Sequence, residues 1–125
     1  MRFNITYQKD SHFFYVVTDG EMSYQAFKDM SEAILSQDNF VPGSNVLFDH
    51  RKLDFSKVSS SDITSIKDFH FANEARIGSG KSAMLIPKDK RDMWFKMWQM
   101  DERRVVSNTV KVFSDYDEAE EWIIL

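Results

Sequence analysis

The chain has 125 residues, 16 of them basic and 20 acidic, for a net charge of -4, and it contains no cysteine. Its length suits one domain spanning residues 1–125 that buries roughly two-thirds of the surface its unfolded form exposes. The acidic balance argues against a nucleic-acid binder, whose affinity would rest on phosphate neutralisation. The missing cysteine excludes thiolate nucleophiles, disulfides and Cys-based zinc sites, in keeping with a reducing compartment.

The N-terminus has no apolar signal core, and no stretch approaches the ~20 apolar residues that cross a bilayer, so a soluble, cytoplasmic protein is expected. Phe3, Ile5 and Tyr7 alternate with polar residues. Lys9-Asp10-Ser11 breaks that pattern before the run Phe13 to Val17, and Asp19-Gly20 closes it. Period-two alternation, a turn and a second aromatic and β-branched run predict a hairpin. His12 falls at the edge of that second strand. From Ser23, a candidate N-cap, Phe27, Met30 and Ile34 share one helical face, and the helix is expected to end near Gln37, ahead of Pro42-Gly43.

Asn45 to Asp49 is a short apolar run that ends in Asp49-His50-Arg51. Bounded by turn residues, it predicts a central strand covered on both faces. Its charged end is where an open α/β sheet places a site. An acid, an imidazole and a guanidinium there are candidates for a small anionic ligand or a partner, although alternation sends neighbouring side chains to opposite faces.

Ser59 followed by Asp62 has the spacing of a capping box. Ile63, Ile66, His70, Asn73 and Ile77 then share a face, with Phe69 beside it, and Gly78 is placed to end that helix. Ser59, Ser60 and Ser61 are capping hydroxyls and also candidate phosphorylation sites, because a phosphoryl group at a helix N-terminus is stabilised by free amides and the dipole. Gly78-Ser79-Gly80-Lys81-Ser82 superficially resembles a phosphate loop, but it follows a helix and opens a strand, the reverse of the required order. Neither His12 nor His70 has a second histidine at i+3 or i+4, and no metal site is expected.

Ala83 to Ile86 predicts a second buried strand ending at Pro87. A helix from about Asp89 to Arg103 follows, carrying Met93, Trp94, Phe95, Met97, Trp98 and Met100. That apolar arc is wide for one sheet face, which predicts that its Trp94 and Trp98 edge is exposed for association. The positive excess also lies here: residues 76–104 sum to +4, and the segments on either side to -4 each. Basic residues interleaved with aromatic ones also suit an anionic lipid surface. Val110, Val112 and Phe113 supply the last strand, and Asp115, with Glu118 in a second capping box, starts a terminal helix.

The order β-β-α-β-α-β-α-β-α implies an α/β fold: a single mixed, mostly parallel sheet of four to five strands with an N-terminal hairpin and four helices. The early hairpin ending in Asp19-Gly20, the segment from Asn39 to Arg51, the strand from Ala83 to Pro87, and the closing Val112-Phe113-Ser114-Asp115 with Glu118-Ala119 and Trp122 carry a family likeness over nearly the whole chain. In order and spacing the chain resembles the bacterial SpoIIAA-like proteins of the STAS superfamily, related in fold to anti-sigma factor antagonists and grouped with SEC14-like domains. The resemblance implies binding or regulation rather than catalysis. The phosphorylated members carry Asp-Ser-Ser/Thr-Gly at the start of the second helix, and here the preceding acid and the following Gly are missing around Ser59-Ser60-Ser61.

The function expected is therefore a non-enzymatic interaction module that needs no cofactor and binds a protein partner or a second copy of itself as a homodimer. The alternative is a carrier of a small apolar ligand or lipid, with a pocket between sheet and helices mouthed by Asp49, His50 and Arg51. Sedimentation with anionic vesicles at low and high salt separates the two, because only the lipid reading expects salt-sensitive membrane association.

Overall fold

The opening alternation becomes a hairpin: β1 (Arg2–Gln8) pairs antiparallel with β2 (Phe13–Glu21), from Arg2 opposite Asp19 to Gln8 opposite Phe13. His12 sits in the turn at φ 57, not in the strand, with its Nδ1 3.3 Å from the Tyr7 hydroxyl. The computed structural model describes residues 1–98 and 108–125. The remaining elements are α1 (Tyr24–Leu35), β3 (Asn45–Asp54), α2 (Ser60–Ala72), α3 (Glu74–Ile77), β4 (Lys81–Leu85), α4 (Arg91–Trp98) after a 3-10 turn at Lys88–Lys90, β5 (Thr109–Phe113) and α5 (Tyr116–Ile124). The expected continuation of the fourth helix to Arg103, with Met100, lies outside the described residues.

The five strands form one sheet in the order β1-β2-β3-β4-β5, with every pair after the hairpin parallel. This is the mixed, mostly parallel α/β sheet that the sequence predicts, with one helix more. The extra helix comes from Asn73, whose side chain donates to the Phe69 carbonyl at 2.9 Å and breaks the expected long helix into α2 and α3. Ser23 caps α1 by accepting from Ala26 N. Ser59 and Asp62 close the capping box of α2, at 3.0 and 3.2 Å. At α5, Asp115 caps by accepting from Asp117 N at 2.9 Å and forms no box with Glu118.

Alternation divides the core between the two faces of the sheet. Phe13, Leu47, Ala83, Leu85 and Phe113 meet Ala119 and Ile123 of α5. Phe14, Val16 and Val46 meet Met30 and Ile34 of α1, and Leu53, Phe55 and Ile86 meet Ile66 of α2 and Trp94 of α4. At the lower edge, the loops at Gly43 and Gly80 cross backbone to backbone. A Cβ on Gly80 would lie 2.5 Å from the carbonyl oxygens of Gly43 and Ser44, so only glycine fits there.

One irregularity positions the site. Opposite Val17 and Asp19 of β2 stand Asp49 and Lys52 of β3, so two residues, His50 and Arg51, face the single Thr18. Such a bulge shifts the alternation by one. Phe48 and His50 point toward the α1/α2/α4 layer, and beyond the bulge Leu53 does so in place of Lys52. The strand therefore runs on to Asp54 and does not end at the charged triplet, as the apolar pattern suggested.

Candidate functional site

The bulge separates the three residues that the sequence groups together. Asp49, only 5% exposed, faces α5. It accepts from Arg51 Nε at 2.9 Å and Nη2 at 2.7 Å, from the Arg51 amide at 3.2 Å and from the Tyr15 hydroxyl at 2.7 Å. Burial opposes charge on Asp49, but the Arg51 and Tyr15 bonds outweigh it and hold the carboxyl below its usual range. Burial, reinforced by Asp49, pushes the Tyr15 phenol up to about 12. The bidentate bond to Asp49 keeps the Arg51 guanidinium firmly protonated. Every charge in this group is satisfied internally, so its chemistry is that of a structural clamp.

His50 points the other way. It is buried, with Nδ1 2.7 Å from the hydroxyl of Thr18, which also reaches the Asp49 carbonyl at 3.2 Å. Phe48 stacks on its ring at 5.5 Å and Trp94 lies 5.7 Å away. Burial, against the pull of the nearby Asp49, pushes its pKa down to about 4.

His50 looks into a cavity of about 670 Å³ between the sheet and the helices α1, α2 and α4. Its floor is Val46, Phe48, Ser82, Met84, Val110 and Val112, and its walls include Phe27, Met30, Ile66, Phe69 and Trp94. A volume of this size lies in the range of about 300–1,000 Å³ typical of small-molecule sites, which are mostly apolar with a few polar groups. Asp49 and Arg51 do not line it. Of the expected mouth, only His50 belongs to the cavity.

Trp94 is buried at 4% exposure and lies edge-on to Phe55 at 5.3 Å, with Trp98 5.4 Å away, so the tryptophan edge of α4 faces inward and not outward as expected. Trp98 is half-buried and also lines the cavity. Met93 and Phe95, each 42% exposed, form the outer face, with the Arg91 guanidinium 5.9 Å from the Phe95 ring. Ser59 is held in its capping box, while Ser60 and Ser61 are exposed at the first turn of α2. Among the described residues no three His, Asp or Glu side chains are grouped to hold a metal ion, and no helix is long and apolar enough to cross a membrane.

Ser82, Asn108, Lys67 and His70, which line the cavity with polar atoms, carry no sequence signal of a site. Ser82 and Asn108 sit where strands start, and Lys67 and His70 read as an ordinary helix. Periodicity assigns a face but does not show that a face is left unfilled.

Among solved structures, the chain is similar to an uncharacterised protein of the DUF3478 family from Shewanella loihica PV-4, described as having a SpoIIAA-like fold, with a TM-score of 0.61 over 98% of this chain and 92% of that one. This fold is SpoIIAA-like. At 15% identity the likeness extends to the architecture alone, in agreement with the resemblance drawn from the sequence. No family profile matches the chain, and neither does any curated protein. The SpoIIAA-like sheet supplies the floor of the cavity, and the cavity's chemistry comes from this chain's own side chains.

Proposed function

We propose that this protein is a non-enzymatic binding module that takes a small apolar ligand into the cavity between its sheet and helices. The observation that carries the reading is the cavity itself: about 670 Å³, walled by aromatic, methionine and aliphatic side chains from four helices and three strands. In this partly open cleft apolar wall atoms face solvent, so an apolar occupant that covers them stabilises the fold as it binds. The internal pairing of Asp49 with Arg51 and Tyr15 supports a scaffolding role for them, with His50, Trp94 and Trp98 as the ligand-facing members of the group.

Native mass spectrometry of protein purified without added ligand tests this reading. The expected result is a reproducible added mass that denaturing conditions remove and that Val112→Phe, which fills the floor, abolishes. A bare chain in every preparation that also fails to take up a neutral apolar dye would overturn it.

The exposed Met93 and Phe95 favour a second reading, association with a protein partner or a second copy through the outer face of α4. Sedimentation velocity of the wild type and Phe95→Ser decides it, with loss of a larger species in the variant as the supporting result. Ser60 and Ser61, exposed beside the committed Ser59, are the candidate phosphorylation sites, and phosphopeptide analysis of protein from its host checks them.

A further inference from the structure

We propose that the cavity is polarised for a single-chain amphiphile with a carboxylate head, of the fatty-acid class, its head lying toward the end where β4 and β5 begin. The inference rests on the ligand-binding reading above and adds the chemistry and direction of the occupant.

The shape points to one chain. Along β3 the lining runs from Val46 to Leu53, about 20 Å at ~3.3 Å per residue. A lining of that length accommodates an extended alkyl chain along the strand direction.

The polarity has a direction. Toward the ends of the strands near Asp54, the lining is Met1, Met22, Leu53 and Trp94, with His50 held by Thr18 and the Arg91 guanidinium turned out over Phe95. Toward the opposite end lie Ser82 at the start of β4, Asn108 just before β5, and His70 near the C-terminal end of α2, the helix that returns the chain to β4. Lys67, one turn before His70, donates to the Trp98 carbonyl at 2.9 Å and so ties Trp98 to the same flank.

That flank holds unmet hydrogen-bonding capacity. The His70 Nε2, Trp98 Nε1 and Asn108 Oδ1 atoms are buried without a partner among the described residues, and all three residues line the cavity. Asn108 is 8% exposed, and its other amide atom, Nδ2, is fixed by Ser82 Oγ at 2.9 Å, which leaves Oδ1 turned away from that bond. Buried polar atoms are almost always paired, and leaving one unpaired is costly. An indole N–H can only donate, and the His70 Nε2 donates in one tautomer, so this end calls for an oxygen acceptor. A water or hydroxyl accompanying the head supplies the donor that Asn108 requires.

The charge selects an anion. No carboxylate is among the described lining residues, and of the three charged ones Lys67 stands on this flank, while the Arg91 guanidinium lies over Phe95 and the Lys111 ammonium over Phe113. Lys67 beside unpaired donors, with no carboxylate in the described lining, favours a carboxylate over a quaternary ammonium of equal chain length.

Isothermal titration calorimetry with dodecanoate, dodecanol and dodecyltrimethylammonium, each below its micellar concentration, tests the inference on the wild type and on Trp98→Phe, which keeps an aromatic ring and removes the N–H. Dodecanoate is expected to bind about tenfold or more tighter than the ammonium, and Trp98→Phe to shrink that ratio several-fold while leaving dodecanol within about twofold. Should Trp98→Phe unfold, Lys67→Gln carries the same comparison. Equal binding of all three probes, an unchanged ratio in the variant, or a preference for dodecanol over dodecanoate would overturn the head assignment and leave the apolar cavity intact. Failure of all three to bind would overturn the cavity reading with it.

Discussion

His50 makes folding stability depend on pH in a window that can be worked out in advance. Burial lowers its folded-state pKa from 6.5 to about 4. A histidine depressed on folding contributes stability that is fully present above its unfolded pKa and is lost as the pH falls toward the folded one, because the unfolded chain binds the proton first. Between about pH 7.5 and about pH 4.5, a shift of this size removes about 2–3 kcal/mol, against a typical total of about 5–15 kcal/mol. His70, also lowered by burial, adds in the same direction, while Asp49, held below 3.8, titrates beneath the window. Urea unfolding followed by circular dichroism at the two pH values, on the wild type and His50→Gln, measures the term. Glutamine keeps a group able to bond the Thr18 hydroxyl and removes the titration. The wild type is expected to lose about 2–3 kcal/mol more than the variant on acidification. Equal losses would show that His50 does not sit neutral in the core, and the placement of its ring against Phe48 and Trp94 would be refuted.

Four further substitutions, one of them a control, probe the elements that frame the site. Ser59→Ala removes the hydroxyl that accepts from Asp62 N and should cost about 1 kcal/mol in urea unfolding. Trp94→Ala opens a space among Phe55, His50 and Trp98 and should cost about 3–5 kcal/mol, visible as a large fall in thermal midpoint. An unchanged midpoint would return this tryptophan to the surface. Gly80→Ala puts a Cβ against the Gly43 and Ser44 carbonyls and should destabilise by about 1–3 kcal/mol or more in the same assay, whereas an alanine at Ser61, exposed in the first turn of α2, should change little.

Strand and helix order was legible because each element carries a complete local signal. Phe3, Ile5 and Tyr7 alternate, Ser23 and Ser59 cap, and Pro42 and Pro87 punctuate. What failed locally depended on pairing between distant segments. The bulge at His50 and Arg51 breaks the apolar alternation, so β3 seemed to stop where it only shifts phase, and Leu53 is recovered as core only when β2 is laid beside it. Asn73 ends α2 through its own side chain in a sequence whose apolar spacing runs on to Ile77. The width of the apolar arc of α4 was visible, but its direction was not, because whether Trp94 faces solvent depends on Phe55 and His50, distant in sequence. The cavity has no sequence signature, since it is the space that correctly placed core residues fail to fill.

Titration with N-phenyl-1-naphthylamine, a neutral dye that brightens in apolar surroundings, tests most directly whether that space receives a ligand. Saturable binding of one dye per chain, quenched when dodecanoate is added and abolished by Val112→Phe in a protein that still unfolds cooperatively, is the result predicted. No saturable signal, or a signal that Val112→Phe leaves unchanged, would contradict the assignment of the cavity as a binding site.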